Sequence, residues 1–331
     1  MRQAAQVWWR PSQPAEAFLP EGPRWFIWDG QAWIVWVNIQ VHPQATHGQI
    51  LWAPADAPAH YRVVECPGRP GFVLPTEQPG IVLVGMDQAL YYLDLATQRW
   101  SSPLVVLPSS PPRTTINDGE ATPDGQAVVF GTKDLLFREP LGRLYLYHFR
   151  QRQLFTLADG QTCSNGKVLR HEADGLILYD IDSPTRQVRR YRLDLIKGSL
   201  EDRGIALDLR DWPEFPDGMC AADDTSVIIA LYHPGEQTSG RAVRFHLPDA
   251  RLLEEWETPF SPRVTCPLLF PATGVERTGP IQLLLTTADE GMPPPLRARC
   301  TNAGCLFVAE TGLQTLPPTP LVPYDLTMSV Q

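Results

Sequence analysis

Four oxygen-bearing residues recur at matching places along this sequence. They are Glu21 in Glu21-Gly22-Pro23, Asn117 in Asn117-Asp118-Gly119, Asn165 in Ser164-Asn165-Gly166 and Asp217 in Pro216-Asp217-Gly218. Each tripeptide suits a turn, because Gly permits positive φ and Asn and Asp bond their own backbone. Singly, such tripeptides say little. Together they supply two carboxylates and two amides, all hard oxygen donors. Two carboxylates in one pocket repel and stay ionised together only with a cation between them. That donor set suits Ca²⁺, Mg²⁺ or Mn²⁺ and admits Zn²⁺. The fold must bring the four together for any of this chemistry to follow.

The spacing predicts such a fold. The stretch Arg113–Asp134 reads as a strand with a polar mouth, a turn at Pro123-Asp124-Gly125 and an apolar, β-branched strand over Gln126–Phe130. Comparable units open at Glu21, Gly71, Asn117, Asn165, Asp217 and Cys266, a period of about 50 residues, which is the range of propeller blades. In every unit an apolar strand follows the mouth, as in Ala32–Val37, Val128–Gly131 and Ser226–Leu231. A third strand comes next, as in Gln49–Trp52, Arg143–His148 and Gln187–Leu193, and a short turn leads to a fourth. The fold class is therefore all-β: a six-bladed β-propeller with four antiparallel strands per blade. Residues 1–331 form a single propeller domain on this reading. The last unit lacks a strand, and Gln6–Arg10 is apolar enough to supply it and close the ring. In a propeller the mouths of different blades share one channel rim, so Glu21, Asn117, Asn165 and Asp217 are expected to share one small volume.

Composition sets the bounds. With 34 prolines and 24 glycines between β-branched runs, and no sustained helical period, the chain reads as turn-rich β structure. A formal charge of -9 advertises no basic face, so no nucleic-acid partner is expected. No apolar run is long enough to span a bilayer and the N-terminus lacks a signal-peptide core, which predicts a cytoplasmic protein without a membrane partner, a monomer or a homodimer. The six cysteines form no Cys-x-x-Cys pair, so neither a zinc site nor a redox motif is suggested. The tryptophans Trp8, Trp9, Trp25, Trp28, Trp33 and Trp36 read as core between blades, and Asp118 and Asp182 as braces of the backbone. The long loop Thr287–Ala303 is expected to shape an entrance.

From Leu19 to Val308 the chain resembles the senescence marker protein/gluconolactonase/luciferin-regenerating family. The resemblance is carried by the four tripeptides above, by Gly131-Thr132, by Asp182-Ser183-Pro184 and by the late Asp289-Glu290-Gly291-Met292. It implies a six-bladed propeller holding one divalent metal through Glu21, Asn165 and Asp217. It further implies that Asn117 lies beside the metal and binds substrate, that Asp217 is the general base, and that the substrate is a sugar lactone. The chain departs from the family pattern at three places. Thr115 stands where the family has a substrate arginine, leaving Arg113, on the same strand face, as the cation expected to replace it. Lys133 follows Gly131-Thr132 in place of Met. Asp134 and Glu139 are both candidates for the acidic residue of the next loop. The expected function is a metal-dependent lactonase. The alternatives are a phosphotriesterase-like calcium hydrolase on the same site, or a metal-binding propeller without catalysis.

Overall fold

A computed structural model describes residues 2–108, 113–272 and 274–325. Its strands run in chain order as follows. The N-terminal β1 (Arg2–Ala4) and β2 (Gln6–Trp9) precede a first sheet of β3 (Pro20–Trp28), β4 (Gln31–Asn38), β5 (Gln49–Pro54) and β6 (Arg62–Glu65). The second sheet has β7 (Pro70–Pro75), β8 (Ile81–Met86) and β9 (Ala89–Asp94), and its outer strand is split into β10 (Arg99–Trp100) and β11 (Val105–Val106). The third has β12 (Thr114–Ala121), β13 (Ala127–Asp134), β14 (Gly142–His148) and β15 (Gln153–Gln161). The fourth has β16 (Ser164–Glu172), β17 (Gly175–Asp182), β18 (Gln187–Asp194) and β19 (Ser199–Asp208). The fifth has β20 (Phe215–Ala221), β21 (Ser226–Tyr232), β22 (Gly240–His246) and β23 (Arg251–Thr258). The sixth has β24 (Val264–Pro271), β25 (Ile281–Thr287) and β26 (Leu306–Glu310). Six successive antiparallel sheets are the blades of a six-bladed β-propeller.

The sixth blade takes its fourth strand from the N-terminus: β2 pairs antiparallel with β26, setting Gln6 opposite Val308 and Val7 opposite Phe307. The remaining N-terminal strand was not foreseen. β1 adds a parallel fifth strand to the neighbouring blade, Arg2 standing opposite Glu255.

Two compact units emerge from the packing, Met1–Arg69 with Asp211–Pro317 and Pro70–Arg210 with Pro318–Gln331. The first unit holds the blades beginning with β3, β20 and β24. Its core is built from Trp9, Trp25, Trp36 and Trp256 with the leucines of β24 and β25. Trp9 meets Trp36 edge-on at 5.0 Å and Tyr61 at 5.3 Å. Of the tryptophans expected in the core, Trp9, Trp25 and Trp36 are buried, whereas Trp8, Trp28 and Trp33 are only partly buried. The second unit holds the blades beginning with β7, β12 and β16. Here Phe72, Phe130 and Tyr145 are fully buried, with Phe130 stacked on Tyr145 at 5.6 Å.

Among the described residues one α-helix interrupts the β pattern. The loop Thr287–Ala303 contains α1 (Pro294–Arg299), which opens with Pro in its first turn, where the missing N–H costs nothing. Six residues with one buried side chain, Leu296, leave no period to read. Among the described residues no helix is long and apolar enough to cross a membrane.

Candidate functional site

Each blade's first strand carries one break in register, and all four residues picked out in the sequence sit at such breaks. The shifts fall between Glu21 and Arg24, Pro70 and Phe72, Ile116 and Asp118, Ser164 and Lys167, Pro216 and Met219, and Val264 and Cys266. Asn117, Asn165 and Asp217 are residues the register skips, and Glu21 is the last one paired before its shift. A bulge bends the strand and re-aims its side chains. The Asn-Asp-Gly, Asn-Gly and Pro-Asp-Gly tripeptides are therefore bulges within first strands rather than chain reversals.

In the first unit β24 packs against both β3 and β20. Glu21 and Asp217 thus lie on strands that flank a common neighbour, and both carboxylates are buried, at 7% and 9% exposure. The Gly22 N–H donates to Glu21 Oε2 at 2.6 Å, turning the carboxylate back over its own bulge. Beside Glu21, the Pro20 carbonyl accepts from Thr265 Oγ1 of β24 at 2.7 Å. Gly218, next to Asp217, allows the close approach of β20 to β24: a Cβ there would lie 2.5 Å from Cys266 Sγ. Near Asp217, the Tyr232 hydroxyl donates to the Glu290 carbonyl at 3.3 Å and Arg263 lies over its ring at 5.5 Å. Desolvation, then Glu290 and Asp217, push the Tyr232 phenol well above its ordinary range, so it stays protonated.

In the second unit Asn117 and Asn165 meet directly. Asn117 Nδ2 donates to the Ser164 carbonyl at 2.8 Å and to Asn165 Oδ1 at 3.3 Å. A carbonyl can only accept, which fixes the orientation of the Asn117 amide. That in turn fixes which end of Asn165 carries oxygen. Asn165 Nδ2 donates onward to Ser183 Oγ at 2.9 Å. Cys163 Sγ lies 3.6 Å from Asn117 Nδ2 and 3.7 Å from Asn165 Nδ2. Asp118 accepts from the Gly119 N–H at 2.7 Å, and Asp182 accepts from the Thr162 and Cys163 N–H groups at 3.1 and 2.7 Å. Both brace the backbone. Arg113 joins the acidic candidates of the next loop, through Nε to Asp134 at 2.6 Å and Nη2 to Glu139 at 3.0 Å. Asp134 is buried under these bonds and Glu139 is exposed.

Residues 19–278 match the family model described as the SMP-30/Gluconolactonase/LRE-like region. The chain belongs to this family. A protein of uncharacterized role from Sulfolobus acidocaldarius is 30% identical over 178 residues, 54% of this chain and 59% of that protein. Regucalcin of Oryctolagus cuniculus is 26% identical over 207 residues, 61% of this chain and 64% of its own length. The matches thus span 59% and 64% of the curated relatives' lengths. Among solved structures, a regucalcin from Agrobacterium tumefaciens, described as a calcium-binding protein, superposes with TM-score 0.76 at 22% identity, covering 98% of this chain and 99% of that one. A luciferin-regenerating enzyme gives TM-score 0.74 at 18% identity, over 96% and 99%. These likenesses carry the fold.

Within this SMP-30/gluconolactonase/LRE-like chain, Glu21 and Asp217 lie in the first unit and Asn117 and Asn165 in the second. Among the described residues no three or more His, Cys, Asp and Glu side chains gather as a metal cluster. The inferred set has a different composition, two carboxylates and one amide. None of the six cysteines is in a disulfide. The sequence reading passed over one feature of the site: a lysine, Lys167, lies fully buried two residues after Asn165, against Asp180. Charged residues in an apolar first strand were the available signal.

Proposed function

We propose that the protein is a divalent-metal-dependent hydrolase that opens sugar-type lactones. Family membership and the Asn117–Asn165 contact support this reading. The hydrogen-bond chain from the Ser164 carbonyl through Asn117 and Asn165 to Ser183 holds each amide by its NH₂ end and fixes the identity of each amide oxygen. The donor set fits a hard cation, being oxygen alone and including two buried carboxylates. Glu21, Asn165 and Asp217 would hold the ion, Ca²⁺, Mg²⁺, Mn²⁺ or Zn²⁺. When bound, it would supply Lewis-acid polarisation of the lactone carbonyl.

The chain's own residues do the rest. Asp217 takes the proton of the attacking water. Asn117 orients a ring hydroxyl or the carbonyl oxygen of the substrate. Arg113, already forked onto Asp134, offers the rest of its guanidinium to the outer part of the substrate, favouring a larger or carboxylated lactone.

The test is a panel of aldonolactones and phosphotriesters assayed with metal and with chelator. Chelator-sensitive lactone opening supports the reading. Turnover of phosphotriesters alone would shift the substrate class, and metal binding without turnover of either would leave a binding protein.

A further inference from the structure

Lys167 is a lysine with no exposed side-chain surface, at the bulge that presents Asn165. The register shift spans Ser164 to Lys167, so the β16–β17 ladder skips Asn165 and Gly166. A skipped residue leaves its backbone carbonyl in need of a donor, because a buried polar group without one is costly. Lys167 Nζ supplies it, donating to the Asn165 carbonyl at 2.5 Å and to Ser164 Oγ at 2.8 Å. Its third contact is Asp180 Oδ1 at 3.3 Å. The Asp180 contact is an ion pair without hydrogen-bond geometry, so two of the three ammonium protons have acceptors and Asp180 Oδ1 accepts none. Asp180 is the cross-strand partner of Lys167 on β17, and Gln161 Nε2 holds its second oxygen at 2.6 Å. A buried charge needs such a partner.

At the β3 bulge Arg24 Nη1 likewise donates to the carbonyl of a skipped residue, Pro23, at 3.0 Å, but the other braces differ. Glu21 and Asp118 each accept from the next backbone N–H, and in β24 the Thr286 hydroxyl accepts from the Cys266 N–H. The residues just past the other shifts are Arg24, Phe72, Asp118, Met219 and Cys266. In β16 alone a lysine stands there, tying the main chain of Asn165 to the next strand.

We infer that Lys167, anchored by Asp180, is a positioning residue that fixes the Asn165 amide for cation binding. The inference rests on the metal reading above for the cation, and on hydrogen-bond geometry for the positioning. Lys167 does not touch the ion or the substrate. It sets the Asn165 backbone, and Ser183 and Asn117 then set its side chain.

The experiment compares full-length protein with Lys167→Met and with the double variant Lys167→Met/Asp180→Leu. Ca²⁺ and Mn²⁺ affinity are measured by calorimetric titration, Tm is measured by melting, and Asp217→Ala serves as the ligand control. Removing a residue that orients a metal ligand weakens binding about 10–100-fold. We expect Lys167→Met to raise Kd by that much and to lower Tm. The double variant, which leaves no unpaired buried charge, should regain Tm while its Kd stays raised. A double variant with the original Kd would overturn the inference, since Lys167 would then be a structural cation only. A second readout needs no metal: the side-chain NH₂ signals of Asn165 in ¹⁵N-labelled protein, identified by their loss in Asn165→Asp. These signals should shift and broaden in both Lys167 variants, and unchanged signals would also overturn the inference. Should Ca²⁺ and Mn²⁺ fail to bind the unaltered protein, or bind Asp217→Ala equally well, the metal reading falls. The Asn165 signals still decide the positioning role.

Discussion

Arg113 grips Asp134 with two parallel bonds, Nε to Oδ1 at 2.6 Å and Nη2 to Oδ2 at 3.1 Å, across the ends of β12 and β13. The same carboxylate accepts the N–H groups of Leu136, Arg138 and Glu139. It thereby ties down the loop that follows β13. The Arg113 guanidinium, and then these backbone donors, hold the Asp134 carboxyl well below its ordinary value of 3.8. A carboxylate whose folded-state pKa is depressed contributes stability that is present above the ordinary value and lost as pH falls through the folded one. Melting curves of the protein and of Arg113→Ala should therefore differ most at neutral pH. The gap should close as pH drops below about 4, where the unfolded carboxyl is protonated. A gap that stayed constant to low pH would show that Arg113 acts through packing instead.

Arg113 also carries the substrate proposal made for it. If the guanidinium contacts the outer part of a lactone while clamped on Asp134, Arg113→Ala should raise KM about tenfold or more, the scale of a lost charge-assisted bond. Metal affinity should not change. A lowered Tm with unaltered KM would confine the residue to bracing the loop.

The N-terminal strands make a second set of claims. Residues 2–9 serve two blades, β1 pairing with β23 and β2 with β26. Arg2 adds ion pairs to Glu255 and Glu257. Deleting residues 1–10 should leave edges on both sheets and yield protein that aggregates, as exposed strand edges do. Trp9→Ala is the milder probe. Its ring is 3% exposed and packed on Trp36 and Tyr61, so its loss should cost about 3–5 kcal/mol. Denaturant melts measure the difference.

Much of this architecture was legible in the sequence because repetition made weak signals agree. The second strand placed at Val128–Gly131 runs over Ala127–Asp134, and the third at Gln187–Leu193 over Gln187–Asp194. The missing strand of the last blade was found by asking what Gln6–Arg10 could join. What stayed hidden has physical reasons. Three residues of β1 are too few for alternation to show. The helix Pro294–Arg299 begins in a proline run that reads as loop. A bulge between Ile116 and Asp118 adds one residue and leaves no mark in composition. The Lys167–Asp180 pair depends on cross-strand register, which hydrophobic pattern sets only to a face.

Gly131 gives a prediction that links the second unit's packing to its site. A Cβ on Gly131 would fall 1.9 Å from Ser164 Oγ and 2.3 Å from Ser164 Cβ, so the side chain of Ser164 occupies its place. Ser164 also gives its carbonyl to Asn117 and its hydroxyl to Lys167. Gly131→Ala should displace Ser164, lowering Tm and weakening both metal binding and turnover. Gly30→Ala is the control for general glycine effects. Gly30 adopts positive φ but has open space around it, so its strain stays local.

Asp217 separates binding from catalysis. It lies buried in the β20 bulge, and the proposal gives it two tasks, ligand and base. Asp217→Ala removes both. The variant should show no metal-induced rise in Tm, where a cation at a hundredfold excess over its Kd would add about 2.7 kcal/mol to the unaltered protein. Asp217→Asn keeps an oxygen donor of nearly the same shape and discards the charge. Some metal affinity should remain, weaker because one of two carboxylates is gone. Its amide cannot accept a proton from water near neutral pH, and general-base catalysis contributes about 10²–10⁴-fold to rate. At saturating metal, kcat on the best lactone should therefore fall by that range, with KM little changed. Metal content by elemental analysis and kcat at fixed occupancy are the two readings needed. A metal-loaded Asp217→Asn protein with undiminished kcat would transfer the base to another residue and leave Asp217 as a ligand alone.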